Sequence, residues 1–273
     1  MLIRHNLISN QTDFTFLLIR MAVGIYLVSS AFVGGFLSIM DPMDYGHTYF
    51  EILTALQASV GIMLVFGLFV RIGSAMLICI FAFSFVEYGL NALDQIMLLG
   101  VSFALLLRTS SKYSVDNLLL KRKNISSTQK FDINRMFLPA IGITFGANLV
   151  WLGLVEKLLA PNMFATVLKE YGLSPVGMSV DMAVFGAGLV EIVIGLFYMF
   201  GIRMRMVSAI MLGVLVSTVV VFQENMIAHI VMFAIVVMFV INNKDPITGI
   251  KMEKILPIIR KMKNVMLLRM YAN

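Results

Sequence analysis

Glu191 stands in the middle of an apolar run, Met182 to Ile202, where a carboxylate has no evident solvent. An ionisable side chain in hydrocarbon costs several kcal/mol unless it is paired or hydrated, so each one needs a reason. Four further groups share its half of the chain: the adjacent Glu156 and Lys157, then Glu224 and His229. An acid, a base and a cation in one sheltered cavity could hold a small polar or anionic group and move protons to or from it. Lys157 would supply positive charge, while Glu191 and His229 would exchange protons. Glu156, Lys157, Glu191 and His229 are therefore the expected catalytic set.

Plainer readings stand beside these. Glu156 and Lys157 fit interface residues, with the lysine snorkelling to water. His229 fits a turn-capping residue. Glu191 resists such an account, because neither a helix end nor a loop explains it. Arg71 and Arg205 sit in tight turns and read as structural. The 22 methionines need no copper site, since methionine fills irregular cores and no Met or His cluster has ligand spacing.

The elements that must carry these groups are membrane helices. Of the 273 residues, 60% are hydrophobic and only 13% charged, with a mean hydropathy of +0.93. That exceeds what a soluble domain of this length would show. Apolar runs fill Phe14–Leu37, Ile52–Val70, Ile72–Val86, Ile96–Leu107, Met136–Leu159, Met182–Ile202, Met206–Phe222 and Ile227–Ile241. The runs are continuous rather than alternating, which excludes a β-barrel and predicts an all-α polytopic protein of about eight spans.

A repeat organises them. Gly61, Phe66, Gly67, Arg71, Ser74 and Ala75 recur, without a gap, as Gly195, Phe200, Gly201, Arg205, Ser208 and Ala209, 134 residues later. Gly24 aligns with Gly146 at an offset of 122. Two parallel four-helix units follow, at 1–110 and 134–243, joined by a basic linker at 111–133 and ended by a basic amphipathic tail at 244–273. A short helix is expected at Val115–Leu120 in the linker. The repeated glycines read as close helix contacts. The second unit carries a longer outer loop, with an amphipathic piece at Phe164–Tyr171 ended by Gly172 and Pro175, able to cover a cavity. In the first unit Gly34, Gly35 and Gln57 stand where the second has Glu156, Lys157 and Glu191, so only the second is expected to hold a site.

The net charge of +6 is concentrated in the linker, the tail and the turns that hold Arg71, Arg203 and Arg205. By the positive-inside rule these face the cytoplasm, with both termini, in a multi-pass cell-membrane protein. Anionic membrane lipids account for the basic segments, and no nucleic-acid partner is needed. The first run is too long for a signal peptide and carries Arg20 within it. Cys79, the only cysteine, excludes an internal disulfide and reads as a small buried hydrophobe. No phosphate loop, dinucleotide fingerprint or CxxC occurs. With His5, His47 and His229 the only histidines, neither a bis-histidine haem nor a metal centre is expected.

Gly153-Leu-Val-Glu-Lys157-Leu-Leu-Ala-Pro161, Glu191-Ile-Val-Ile-Gly195, Phe200-Gly201 and Arg205 resemble motifs of the DoxX-like membrane proteins, which include the DoxD subunit of thiosulfate:quinone oxidoreductase. Gly61, Phe66-Gly67, Arg71 and Lys112-Tyr-Ser-Val-Asp116 carry the same resemblance in the first unit. It implies a quinone-linked role on a small sulfur compound, beside other membrane or periplasmic redox subunits, with Glu156, Lys157, Glu191 and His229 as the polar positions. The alternative, from the dominance of packing residues, is a non-catalytic assembly subunit of a larger respiratory or oxidase complex.

Overall fold

The computed structural model describes residues 2–37, 48–107, 114–116, 134–170, 179–221 and 225–242, and within them every regular element is helical. In chain order these are α1 (Leu2–Val33), α2 (Thr48–Phe66), α3 (Val70–Tyr88), a 3-10 stretch (Gly89–Gln95) and α4 (Ile96–Leu107). Next come α5 (Asn134–Leu152), continued by a π-helical turn (Gly153–Leu159), α6 (Pro161–Glu170), α7 (Val180–Phe200), α8 (Met204–Val221) and α9 (Ile230–Ile241). Eight of the nine coincide with the apolar runs. The ninth, α6, is the amphipathic piece of the long outer loop, and it starts at Pro161, a residue whose fixed φ suits a first helical position.

Four segments are long and apolar enough to cross a membrane: Asp13–Val33, Val70–Leu107, Phe137–Leu159 and Val180–Phe200. The second of these contains α3 and α4 with the 3-10 stretch between them. Phe50–Phe66, Met204–Val220 and Ile230–Ile241 are apolar helices of 10–17 residues. Glu224, His47, the Gly172 and Pro175 stop, and the expected tail helix lie outside the described residues. Of the linker, Ser114, Val115 and Asp116 are described.

Helix contacts repeat along the chain. α1 packs chiefly on α2 and α5 on α7; α4 packs on α5 and α1 on α9. Within each half the first and last helices meet at few points, so neither half closes into a bundle by itself. One core joins both halves through α1, α4, α5 and α9, with Ile19, Leu98, Ile141 and Ile235 fully enclosed. The α2–α3 and α7–α8 pairs flank this layer and turn Ile62, Ile72, Val193 and Ile210 outward. Such a face suits lipid rather than water. Cys79 is on that outside of α3, exposed, and not in the core as expected. On a helix apolar all round, residue type does not reveal which side is buried.

Glycines set the two closest crossings. A Cβ on Gly24 would come within 2.7 Å of the Gly61 carbonyl oxygen, and one on Gly61 within 2.8 Å of that of Gly24. Gly146 and Gly195 meet in the same way across α5 and α7. Backbone touches backbone at both places, as small residues permit in membrane helices.

The following turns match as well. Gly67 (φ 69°) and Gly201 (φ 63°) end α2 and α7 in the left-handed region. The Leu68 N–H donates to the Met63 carbonyl and the Ile202 N–H to the Phe197 carbonyl, each at 2.9 Å, closing the helix as a Schellman motif does. Two residues on, Phe69 and Arg203 both adopt φ 46°.

Sequence reasoning missed the roles of two residues here. Arg20 is 1% exposed and lies directly over Gly67, where no side chain would fit beside its guanidinium. Asp116, from the linker, accepts hydrogen bonds from the backbone N–H groups of Phe69 (2.9 Å) and Val70 (3.4 Å) and lies close enough to act on the Arg20 charge. It caps α3 from outside the helix, and nothing local in sequence announces such a cap.

Two outcomes are expected. Gly195→Val should destabilise the protein by about 1–3 kcal/mol through forced separation of α5 and α7, whereas Gly213→Val, with open space around it, should not; thermal unfolding in mild detergent checks both. Asp116→Ala should remove about 1–2 kcal/mol by uncapping α3, read by the same melts.

Candidate functional site

α5 and α7 run against each other through two glycine contacts, Gly146 with Gly195 and Gly153 with Gly188. The second brings a would-be Gly188 Cβ to 2.9 Å from the Gly153 carbonyl oxygen and 3.0 Å from the Lys157 Cβ. Each partner is seven residues from its neighbour, about two helical turns or 10 Å along the axis. Glu191 falls between Gly188 and Gly195 on α7, and Lys157 lies one turn past Gly153.

The result is a direct ion pair. Lys157 Nζ donates to both Glu191 carboxylate oxygens, at 2.5 and 2.6 Å. The two side chains are 9% and 21% exposed. In side chains shielded from water to this extent, removing either partner leaves the other without compensation, at a cost larger than the pair's own net worth. Lys157 is presented by the π-helical turn Gly153–Leu159, which the sequence did not announce; such turns occur most often at functional sites. Amphipathic α6 packs on α7 and on the π turn, with Ala165 and Leu168 against Val184 of α7.

The other two expected residues stand on the π turn and at the start of α9. Glu156 is exposed, on the outer side of the π turn from its buried neighbour Lys157. His229 is half-buried and is the N-cap residue of α9, where its carbonyl accepts the Phe233 N–H at 2.9 Å; its side chain makes no capping bond. α9 packs on α8, α1 and α5. Of the four residues, then, the structure joins Lys157 to Glu191.

The first half shows what the same place does without charges. Gln57, the counterpart of Glu191, is fully buried; its Nε2 donates to the Leu27 carbonyl (3.1 Å) and the Gly35 carbonyl (3.4 Å), and its Oε1 accepts from the Leu37 N–H (2.9 Å). Gly35 is the counterpart of Lys157. The chain after α1 folds inward here, with Leu37 at φ 55°, and Ser30 Oγ and Tyr26 OH donate to the Gly35 and Leu37 carbonyls. Tyr26 OH also reaches Gln95 Oε1 at 3.2 Å. One site is a neutral network closed by backbone, the other a charge pair.

At the opposite end of α7, Tyr198 OH shares a 2.7 Å hydrogen bond with Ser208 Oγ and packs edge-on against Phe145. Asn148 of α5 donates to the Asp94 carbonyl at 2.6 Å, tying the second half to the 3-10 stretch of the first. Among the described residues no three His, Cys, Asp or Glu side chains gather as a metal site requires.

Lys157→Met should destabilise the protein by about 3 kcal/mol, because it strands a carboxylate in an apolar setting. Lys157→Met with Glu191→Leu should recover most of that loss; a double-mutant cycle from thermal melts measures the coupling. No family model, curated protein or solved structure matches the chain, so the pair rests on its own geometry.

Proposed function

We propose that this chain is an integral-membrane subunit of a quinone-linked oxidoreductase system acting on thiosulfate or another small sulfur compound. One observation carries the reading: the second half keeps an acid and a base in contact where the first half fills the same place with a neutral amide. Packing alone is served by Gln57. Holding Lys157 and Glu191 there instead costs desolvation that a structural role does not require. The resemblance of the surrounding motifs to DoxX-like proteins points the same way.

In this reading the chain crosses the cell membrane eight times as two four-helix units, with both termini cytoplasmic. The bond from Asp116 to the α2–α3 turn supports that orientation, since it ties the basic linker to the end of the helices where Arg71 lies. Lys157 offers positive charge to a quinone headgroup or sulfur anion. Glu191, released from the lysine as the substrate takes its place, takes up protons from water and passes them to the ring, two per quinone, while a partner subunit delivers the two electrons from the sulfur compound. His229 and Glu156 serve at the mouth rather than in contact with the pair.

A second reading, an assembly subunit without its own chemistry, is favoured by the internal satisfaction of the pair. Glu191→Gln separates the two. Loss of sulfur-dependent quinone reduction in membranes, with the partner subunits still copurifying, is expected from the first reading. Unchanged turnover in that variant would sink it and leave the second.

A further inference from the structure

Helices α7 and α8 are spread apart on the outer face, and between them runs a groove of about 460 Å³ lined by Leu189, Val193, Phe197, Met206 and Ile210, with Arg203 at its end. The corresponding helices of the first half, α2 and α3, pack on each other more extensively. From Leu189 to the end of α7 at Phe200 the groove follows the helix for 11 residues, about 16 Å at the helical rise, with Arg203 in the turn beyond. That is close to half the thickness of the hydrocarbon core, the acyl depth of one leaflet.

Charge and shape agree. Arg203 is the one charged residue of the lining, and its side chain is exposed at the turn. It makes no hydrogen bond or ion pair with another described residue through its guanidinium. Its φ of 46° is a conformation that side chains other than glycine's adopt at a cost of about 1–2 kcal/mol. Phe69 occupies the same position, with the same φ, in the first half. The turn therefore dictates the backbone, and the halves differ in what they display from it: an aromatic ring at Phe69, or a cation at the end of the α7–α8 groove at Arg203.

We propose that the α7–α8 groove seats one acyl chain of an anionic phospholipid, with Arg203 holding the headgroup phosphate. The site is distinct from the Lys157–Glu191 pair and does not depend on its chemistry.

The test uses the full chain in mild detergent, mixed with phosphatidylglycerol or phosphatidylcholine, with retained lipid read by native mass spectrometry. The wild type should retain phosphatidylglycerol about fivefold better, the worth of one basic residue at an anionic surface. Arg203→Gln should reduce its retention to the phosphatidylcholine level, and Arg203→Lys should restore most of it. Val193→Trp, which fills the groove, should reduce retention of both lipids. Arg71→Gln, in the first half's turn, should leave the preference unchanged. Equal retention of the two lipids by the wild type, or a preference that survives Arg203→Gln, overturns the proposal. So does a wild-type dimer that Val193→Trp converts to monomer without altering bound lipid, since a second copy would then be the occupant.

Discussion

The contact on which the structure turns is backbone against backbone. Where Gly146 meets Gly195 and Gly153 meets Gly188, no Cβ separates α5 from α7, and the helices stay close over two turns. Only at that spacing does a lysine on one helix reach both oxygens of a glutamate on the other. Apolar side chains at those glycines would hold the chains apart and leave each charge alone in a poorly solvated layer. The ion pair is thus a consequence of the glycines, and its position along α7 is fixed by them.

The first half shares half of this arrangement. Gly24 and Gly61 make the same crossing, but two turns further on the matching positions are Ala31 and Thr54 rather than glycines. There the chain after α1 leaves the helix at Gly34 and tucks its own peptide groups against Gln57. Backbone amides do the work that Lys157 does in the second half. Differences at four positions, Ala31 against Gly153, Gly35 against Lys157, Thr54 against Gly188 and Gln57 against Glu191, separate a sealed joint from a charged one. The linker adds a second difference, since Asp116 completes the α2–α3 turn and attends the buried Arg20.

Much of the fold was legible because glycine, turn and apolar-run signals are local. The eight apolar helices fall on their runs, and the recurrence of Gly67, Arg71 and Ser74 at Gly201, Arg205 and Ser208 coincides with two turns of the same backbone form. Orientation was not legible. These helices are apolar on every side, so no stripe marks the face that packs; Cys79 points outward where the sequence was read as burying it, and Glu156 where the sequence left the choice open. The partner of Glu191 lies 34 residues away and could be guessed only as one of several charges. Arg20 entered the sequence argument as a charge within an apolar run, and its place above Gly67 follows from a crossing that one-dimensional spacing does not encode.

The way the halves are joined has a further consequence. The first helix of each lies on the last helix of the other, α1 on α9 and α5 on α4. Reciprocal contact of this kind, first helix on last helix in both directions, is the pattern of a homodimer. A single half, cut free, would therefore present the very surface that recognises another copy of itself.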